Sequence, residues 1–189
     1  MTPGKFRSSL GGMRVLSPIC VAATLALLPS GCGSHNPEPP SRAGPADVVV
    51  TSSAFADGGR IPTEFTCRGA GSAPPLSWSG VPPQAAVLAL VVVDPDAGDY
   101  YHWVVLDLPA SATSVTDPAP VTARNSHGST GWTPPCPPSG THRYRFTLYA
   151  LDAETGLPDG TDTSDAVGAI DEHAIAHGTL TGLVSSSSG

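Results

Sequence analysis

The sequence predicts a mainly β fold, a sandwich or related antiparallel architecture. Three observations carry this: six short segments alternate or run apolar for strand length, Gly and Pro punctuate them, and a single late stretch has helical spacing. The 21 Gly and 21 Pro would fit a disordered chain if those apolar runs were absent. They are present, so the reading is a real core joined by long loops.

Residues 1–31 read as a secretory signal. Lys5, Arg7 and Arg14 form a positive start, and the apolar run from Val15 to Leu28 is short for a membrane span. A buried core helix competes for that run, but Pro18 inside it and Pro29-Ser30-Gly31 after it weigh against this. The small residues leading to Cys32 resemble a bacterial lipobox, although Pro29 stands where that pattern has an aliphatic residue. Acylation of Cys32 would anchor the mature chain to the membrane by its first residue; without it the protein would be secreted. Residues 32–46 are rich in Pro, Gly and Ser with no apolar run, which predicts a tether, and the domain occupies 47–189.

Within the domain the expected strands are Val48 to Thr51, Leu76 to Trp78, Val87 to Val93, His102 to Leu108, Tyr144 to Leu151 and Thr179 to Val184. The helix is expected over Ser164 to Ala176, with Ala166, Ala169, Ile170, His173 and Ala174 on one face and Gly178 placed to stop it.

Removing the signal takes three of the nine basic residues, leaving six against sixteen acidic ones and a formal charge of −10. No lysine follows Lys5. Such a domain has no electrostatic footprint for nucleic acid, so any anion it binds must be held by a local pocket. Cys20 and Cys32 belong to the signal region, which leaves Cys67 and Cys136 in an exported, oxidising setting. A disulfide between them is the simple reading and two free buried thiols the alternative.

Two polar clusters interrupt the strands where packing does not require it. Asp94-Pro95-Asp96-Ala97 ends the most apolar strand, and Tyr101-His102-Trp103 opens the next. A solvated turn would explain the two acids equally well. The second cluster runs from Gly131 through Pro134-Pro135-Cys136-Pro137-Pro138 to His142-Arg143-Tyr144. Four prolines in five residues make a stiff extended wall, suited to a pocket rim. Alternation then puts His142, Tyr144, Phe146 and Leu148 on one face of the following strand.

These motifs resemble the phosphatidylethanolamine-binding protein family, in particular its bacterial Raf-kinase-inhibitor-like branch. The resemblance rests on Asp94-Pro95-Asp96-Ala97, His102-Trp103-Val104-Val105, the Pro-Cys-Pro-Pro run and His142-Arg143-Tyr144 with the strand after it. Upstream, Ile61-Pro62, Pro74-Pro75-Leu76-Ser77-Trp78 and Gly80-Val81-Pro82 add to it. It implies an antiparallel β-sandwich with small peripheral helices and a pocket at one end. Asp94, His102, His142 and Tyr144 would hold an anion there, Pro135 would supply part of the proline wall, and Asp96, Tyr101 and Arg143 would support them, Asp96 and Arg143 as an ion pair. Gly98 and Pro134 stand where relatives usually carry proline and glycine.

The expected function is therefore binding of a phosphate-type anion or phospholipid headgroup, without a cofactor. Imidazole and phenol donors suit phosphate oxygens, and Asp94 would meet a protonated oxygen or an ammonium. An inhibitor of proteases or of signalling, acting on a protein partner, is the alternative that the resemblance also allows. A hydrolase is disfavoured because no Gly-x-Ser-x-Gly turn or obvious nucleophile pairs with either His. A zinc site of Asp94, His102 and His142 lacks a supporting helical motif. His35, His127, His173 and His177 read as surface residues.

Overall fold

The computed structural model describes residues 48–186. The predicted signal, tether and Cys32, together with His35, lie outside the described residues.

The strands are β1 (Val49–Thr51), β2 (Gly59–Arg60), β3 (Ser77–Ser79), β4 (Val87–Asp94), β5 (Tyr100–Pro109), β6 (Thr141–Leu151) and β7 (Ala174–Ser185). One helix, α1 (Thr163–His173), precedes β7, and single 3-10 turns lie at Thr63–Phe65 and Pro95–Ala97. The main sheet runs β2-β7-β6-β4-β5, and β1 pairs with β3 in a small second sheet. All neighbours are antiparallel except β2, which lies parallel to β7. The fold is thus predominantly β as expected, with a mixed main sheet.

The central strand explains the layering. β4 reads Val-Leu-Ala-Leu-Val-Val-Val without a polar break, and all of these but Val93 are buried. A strand apolar on both faces needs a cover on each side. Leu88, Leu90 and Val92 pack with Trp103, Phe146, Leu148 and, from the small sheet's side, Val50, Phe55 and Trp78. Val87, Ala89 and Val91 face the other way, with Val104, Leu106 and the helix residues Ala166 and Ile170. Ala166 and Ile170 are one helical turn apart, the spacing that lets a short helix lay one stripe on a sheet.

The helix ends earlier than its periodicity predicts. It stops at His173, and Ala174 to Gly178 belong to β7, where Ala176 pairs with Ala150 and Gly178 with Leu148. Small residues with i, i+3, i+4 spacing also satisfy an alternating strand, and the unpaired edge of β6 decides between the two. Gly178 is not a helix stop. A Cβ there would run into the Val48 backbone carbonyl, so this glycine lets β1 cross β7 closely.

Cys67 and Cys136 form a disulfide, with Cα atoms 5.4 Å apart across a sequence separation of 69.

Candidate functional site

Asp94 occupies the end of β4 and is 2% exposed. Its Oδ1 accepts from the backbone N–H groups of Asp96 (2.9 Å) and Ala97 (3.2 Å), capping the turn Pro95–Ala97. Pro95 at the first position of the turn loses no bond by lacking an N–H. Gly98 closes the turn at φ 69°, a left-handed conformation that proline cannot adopt. The other carboxylate oxygen, Oδ2, lies 2.7 Å from Nδ1 of His142. Both oxygens of Asp94 are therefore engaged inside the protein. Asp94 also lines the cavity described below, held there by His142 and by the turn it caps.

His102 is placed by a bulge. Val92 pairs with Trp103 but Val93 pairs with Tyr101, so β5 carries one extra residue, His102. An extra residue reverses the alternation locally and turns a side chain to the opposite face. Tyr100 and His102 consequently look into the site, while Tyr101 packs on the helix side with Val91, Tyr149 and Ile170. Tyr101, expected as a supporting residue, therefore lies outside the cavity, and Tyr100, whose ring centroid is 5.0 Å from that of His102, lines it instead.

His102 Nδ1 lies 2.7 Å from the Thr133 carbonyl. A carbonyl only accepts, so Nδ1 holds the proton and Nε2 is left for a ligand. The same reasoning applies to His142, whose Nδ1 donates to Asp94. Burial pushes the His102 imidazole below its ordinary value, against the opposing pull of the Thr133 bond and the Asp94 charge. Tyr144, 1% exposed, stacks edge-on to His102 at 5.1 Å. Burial first, then the neighbouring Asp94 carboxylate, push its phenol up, so it stays a protonated donor.

These groups form the floor of a cavity of about 640 Å³ that is also lined by Cys67, Tyr100, His127, Ser129, Trp132, Thr133, Pro134, Cys136, Pro137 and Pro138. The proline wall is present, but Pro135 is buried behind it and is not among the lining residues. Its carbonyl accepts from Cys67 N at 3.1 Å. Trp132 is tied across the cavity's edge, donating from Nε1 to the Gly71 carbonyl at 3.0 Å.

Behind the floor, Arg143 grips Asp96 with three donors: its backbone N (2.8 Å), Nε (3.0 Å) and Nη2 (2.6 Å). The guanidinium holds the Asp96 carboxyl well below the usual carboxylate range. The pair pins the turn after β4 to β6, so that Asp94 and His142 face each other across adjacent strands.

Tyr100 and Ser129 escape the sequence reading, which also takes His127 for a surface residue outside any site. The bulge hides Tyr100, because the run Tyr100–Leu108 is apolar enough on both faces for either register. His127 and Ser129 sit on a turn organised by Asn125, a buried residue whose role the sequence does not reveal. Among the described residues, Asp94, His102 and His142 do not form a metal-ligand cluster. No described helix is long and apolar enough to cross a membrane.

Comparison with known proteins agrees with this architecture. Residues 51–185 match the phosphatidylethanolamine-binding protein family. The chain is 42% identical over 141 residues to a UPF0098 protein of Methanothermobacter thermautotrophicus, covering 69% of this chain and 93% of that protein. It is 45% identical over 143 residues to LppC of Mycobacterium tuberculosis, named as a candidate lipoprotein, covering 71% of each. A crystal structure from Chlamydia trachomatis, CT736, described as a candidate phosphatidylethanolamine-binding protein homologue, superposes with a TM-score of 0.69 at 37% identity. The match covers 74% of this chain and 97% of that one. Escherichia coli YbcL, described as a member of the mammalian family, gives the same TM-score at 26% identity, covering 74% of this chain and 99% of that one. With these motifs on this fold, the chain belongs to the phosphatidylethanolamine-binding protein family.

Proposed function

We propose that this is an exported, lipid-anchored binding protein whose pocket holds a phosphate-type anion, free or as a phospholipid headgroup. The observation that carries the reading is the convergence of His102, His142 and Tyr144 on one cavity floor, with both Nδ1 atoms already committed elsewhere. That leaves two Nε2 atoms for one ligand, with the Tyr144 phenol beside Asp94 lining the same space. The size of the cavity suits a small organic molecule carrying the anion rather than a bare ion. Binding is favoured over catalysis because, among the described residues, the hydrogen-bond partners of the two imidazoles are a backbone carbonyl and a carboxylate, not a hydroxyl or thiol. Cys67 and Cys136, the cysteines that line the cavity, are consumed in a disulfide.

Calorimetric titration of the mature chain with inorganic phosphate tests the pocket. His142→Gln is expected to weaken phosphate about tenfold to a hundredfold, the loss of one hydrogen bond between charged groups. Unchanged affinity in that variant would remove the site from where it is placed here.

Anchoring has its own support: the lipobox-like approach to Cys32 and the lipoprotein name of one relative. Intact mass of protein from the membrane fraction should show a diacylglyceryl group on Cys32. Recovery of soluble protein with Cys32 unmodified would overturn the anchor while leaving the pocket untouched.

A further inference from the structure

At the mouth of the same cavity stands a second set of polar groups. Its floor is buried, whereas His127 and Ser129 are exposed residues that line the same space. They stand among lining prolines, and a proline offers no N–H.

The turn carrying them is locked by Asn125, which is 4% exposed. Its Nδ2 donates to the Gly131 carbonyl (3.0 Å) and to Thr133 Oγ1 (2.9 Å). Its Oδ1 accepts from His127 N (3.1 Å), Ser129 N (3.2 Å) and Ser129 Oγ (3.3 Å). Asn125 therefore spends its whole amide on this turn, and the Thr133 it grips is the residue whose carbonyl orients His102. The mouth and the floor share one hydrogen-bonded unit, which fixes the backbone that presents His127 and the hydroxyl of Ser129.

Their chemistry is complementary. The Ser129 hydroxyl gives its proton to Asn125 and keeps lone pairs for a donor, while the His127 ring carries an N–H for an acceptor.

We infer that His127 and Ser129 form a specificity subsite at the cavity mouth for a ligand with an ammonium and a carboxylate beyond its phosphate, of the phosphoserine class. The carboxylate meets His127 and the ammonium meets Ser129 Oγ. This rests on the phosphate reading of the floor and extends it: the floor takes the phosphate, the mouth reads what hangs from it.

The test compares three probes by calorimetry on the mature chain: inorganic phosphate, phosphoethanolamine and O-phosphoserine, the last two differing only by the carboxylate. O-phosphoserine is expected to bind about threefold to fivefold more tightly than phosphoethanolamine, the worth of one exposed hydrogen bond to the carboxylate. His127→Ala should abolish that ratio, and His127→Gln, which keeps an N–H, should restore part of it. Short-chain phosphatidylserine and phosphatidylethanolamine repeat the comparison on diesters. The same ratio there assigns the subsite to lipid headgroups as well; a ratio confined to the monoesters assigns it to free phosphomonoesters. Equal affinities for the two amines, or a preference that survives His127→Ala, would overturn the subsite while phosphate binding stands. Failure of all three probes would remove the phosphate floor and the subsite with it.

Discussion

Sulfate is expected to bind the mature protein more tightly as pH falls, by about tenfold per pH unit for each imidazole that takes up a proton on binding. The reason is geometric. The Nδ1 protons of His102 and His142 are given to the Thr133 carbonyl and to Asp94, so each Nε2 donates to an anion only when its ring carries a second proton. Anion binding is thereby proton uptake. Free histidine titrates near pH ~6.5. Above that value His102, pushed down by burial, begins neutral, and each further imidazole that takes up a proton on binding adds about another tenfold per unit.

Burial pushes His102 down, so its share of the effect continues below the usual histidine range. Sulfate is the informative probe because it has no proton of its own to contribute in this range. Phosphate can bring one.

The unliganded protein should respond in the opposite sense. A histidine whose folded value is lowered binds fewer protons folded than unfolded. Its contribution to stability is present above pH ~6.5 and is lost as pH falls through the window down to the folded value. Saturating sulfate should reverse this trend by binding only the folded, protonated form. Titrations between pH 5.5 and 8.5, with His102→Gln expected to reduce the slope by one proton, measure the effect. A sulfate affinity flat across that range would end the two-imidazole account.

Opening the Cys67–Cys136 bridge is expected to cost about 4 kcal/mol of stability, the chain-entropy value for a loop of some 70 residues. The loss should not stop at stability. Pro134, Pro135, Pro137 and Pro138 have no N–H, and the stretch's backbone tie to the rest of the domain among the described residues is Cys67 N to the Pro135 carbonyl. The disulfide joins the same two segments, and both cysteines line the cavity. Without it, the wall stays internally stiff but swings on one hydrogen bond, so phosphate affinity should fall along with the unfolding midpoint. Urea unfolding of wild type and the double variant Cys67→Ser with Cys136→Ser gives the free energy, and phosphate titration of the same samples gives the second effect. A stability change under about 1 kcal/mol would mean that the entropic account fails here.

Much of this molecule is legible in its sequence, because some constraints are local. Uninterrupted apolar residues over Val87–Val93 demand a strand covered on both faces. The Asp-Pro-Asp turn needs only its own side chain to cap it, and the prolines stiffen their own backbone. Strict alternation from His142 onward puts His142 and Tyr144 together. Motif order alone identified the family.

What the tertiary structure decided is wherever two elements compete for one residue. A bulge between β4 and β5 exchanged Tyr101 for Tyr100 in the pocket, which no periodicity within β5 can reveal, since a bulge exists only relative to its partner strand. Residues 174–178 fit a helix or a strand, and the edge of β6 made them strand. Asn125 acquires its role only when Gly131 and Thr133 are folded back onto it. Asp94 acquires its partner His142 only when β4 and β6 lie side by side. In each case the deciding contact lies outside the local sequence window, because a hydrogen-bonding partner is chosen by proximity in space.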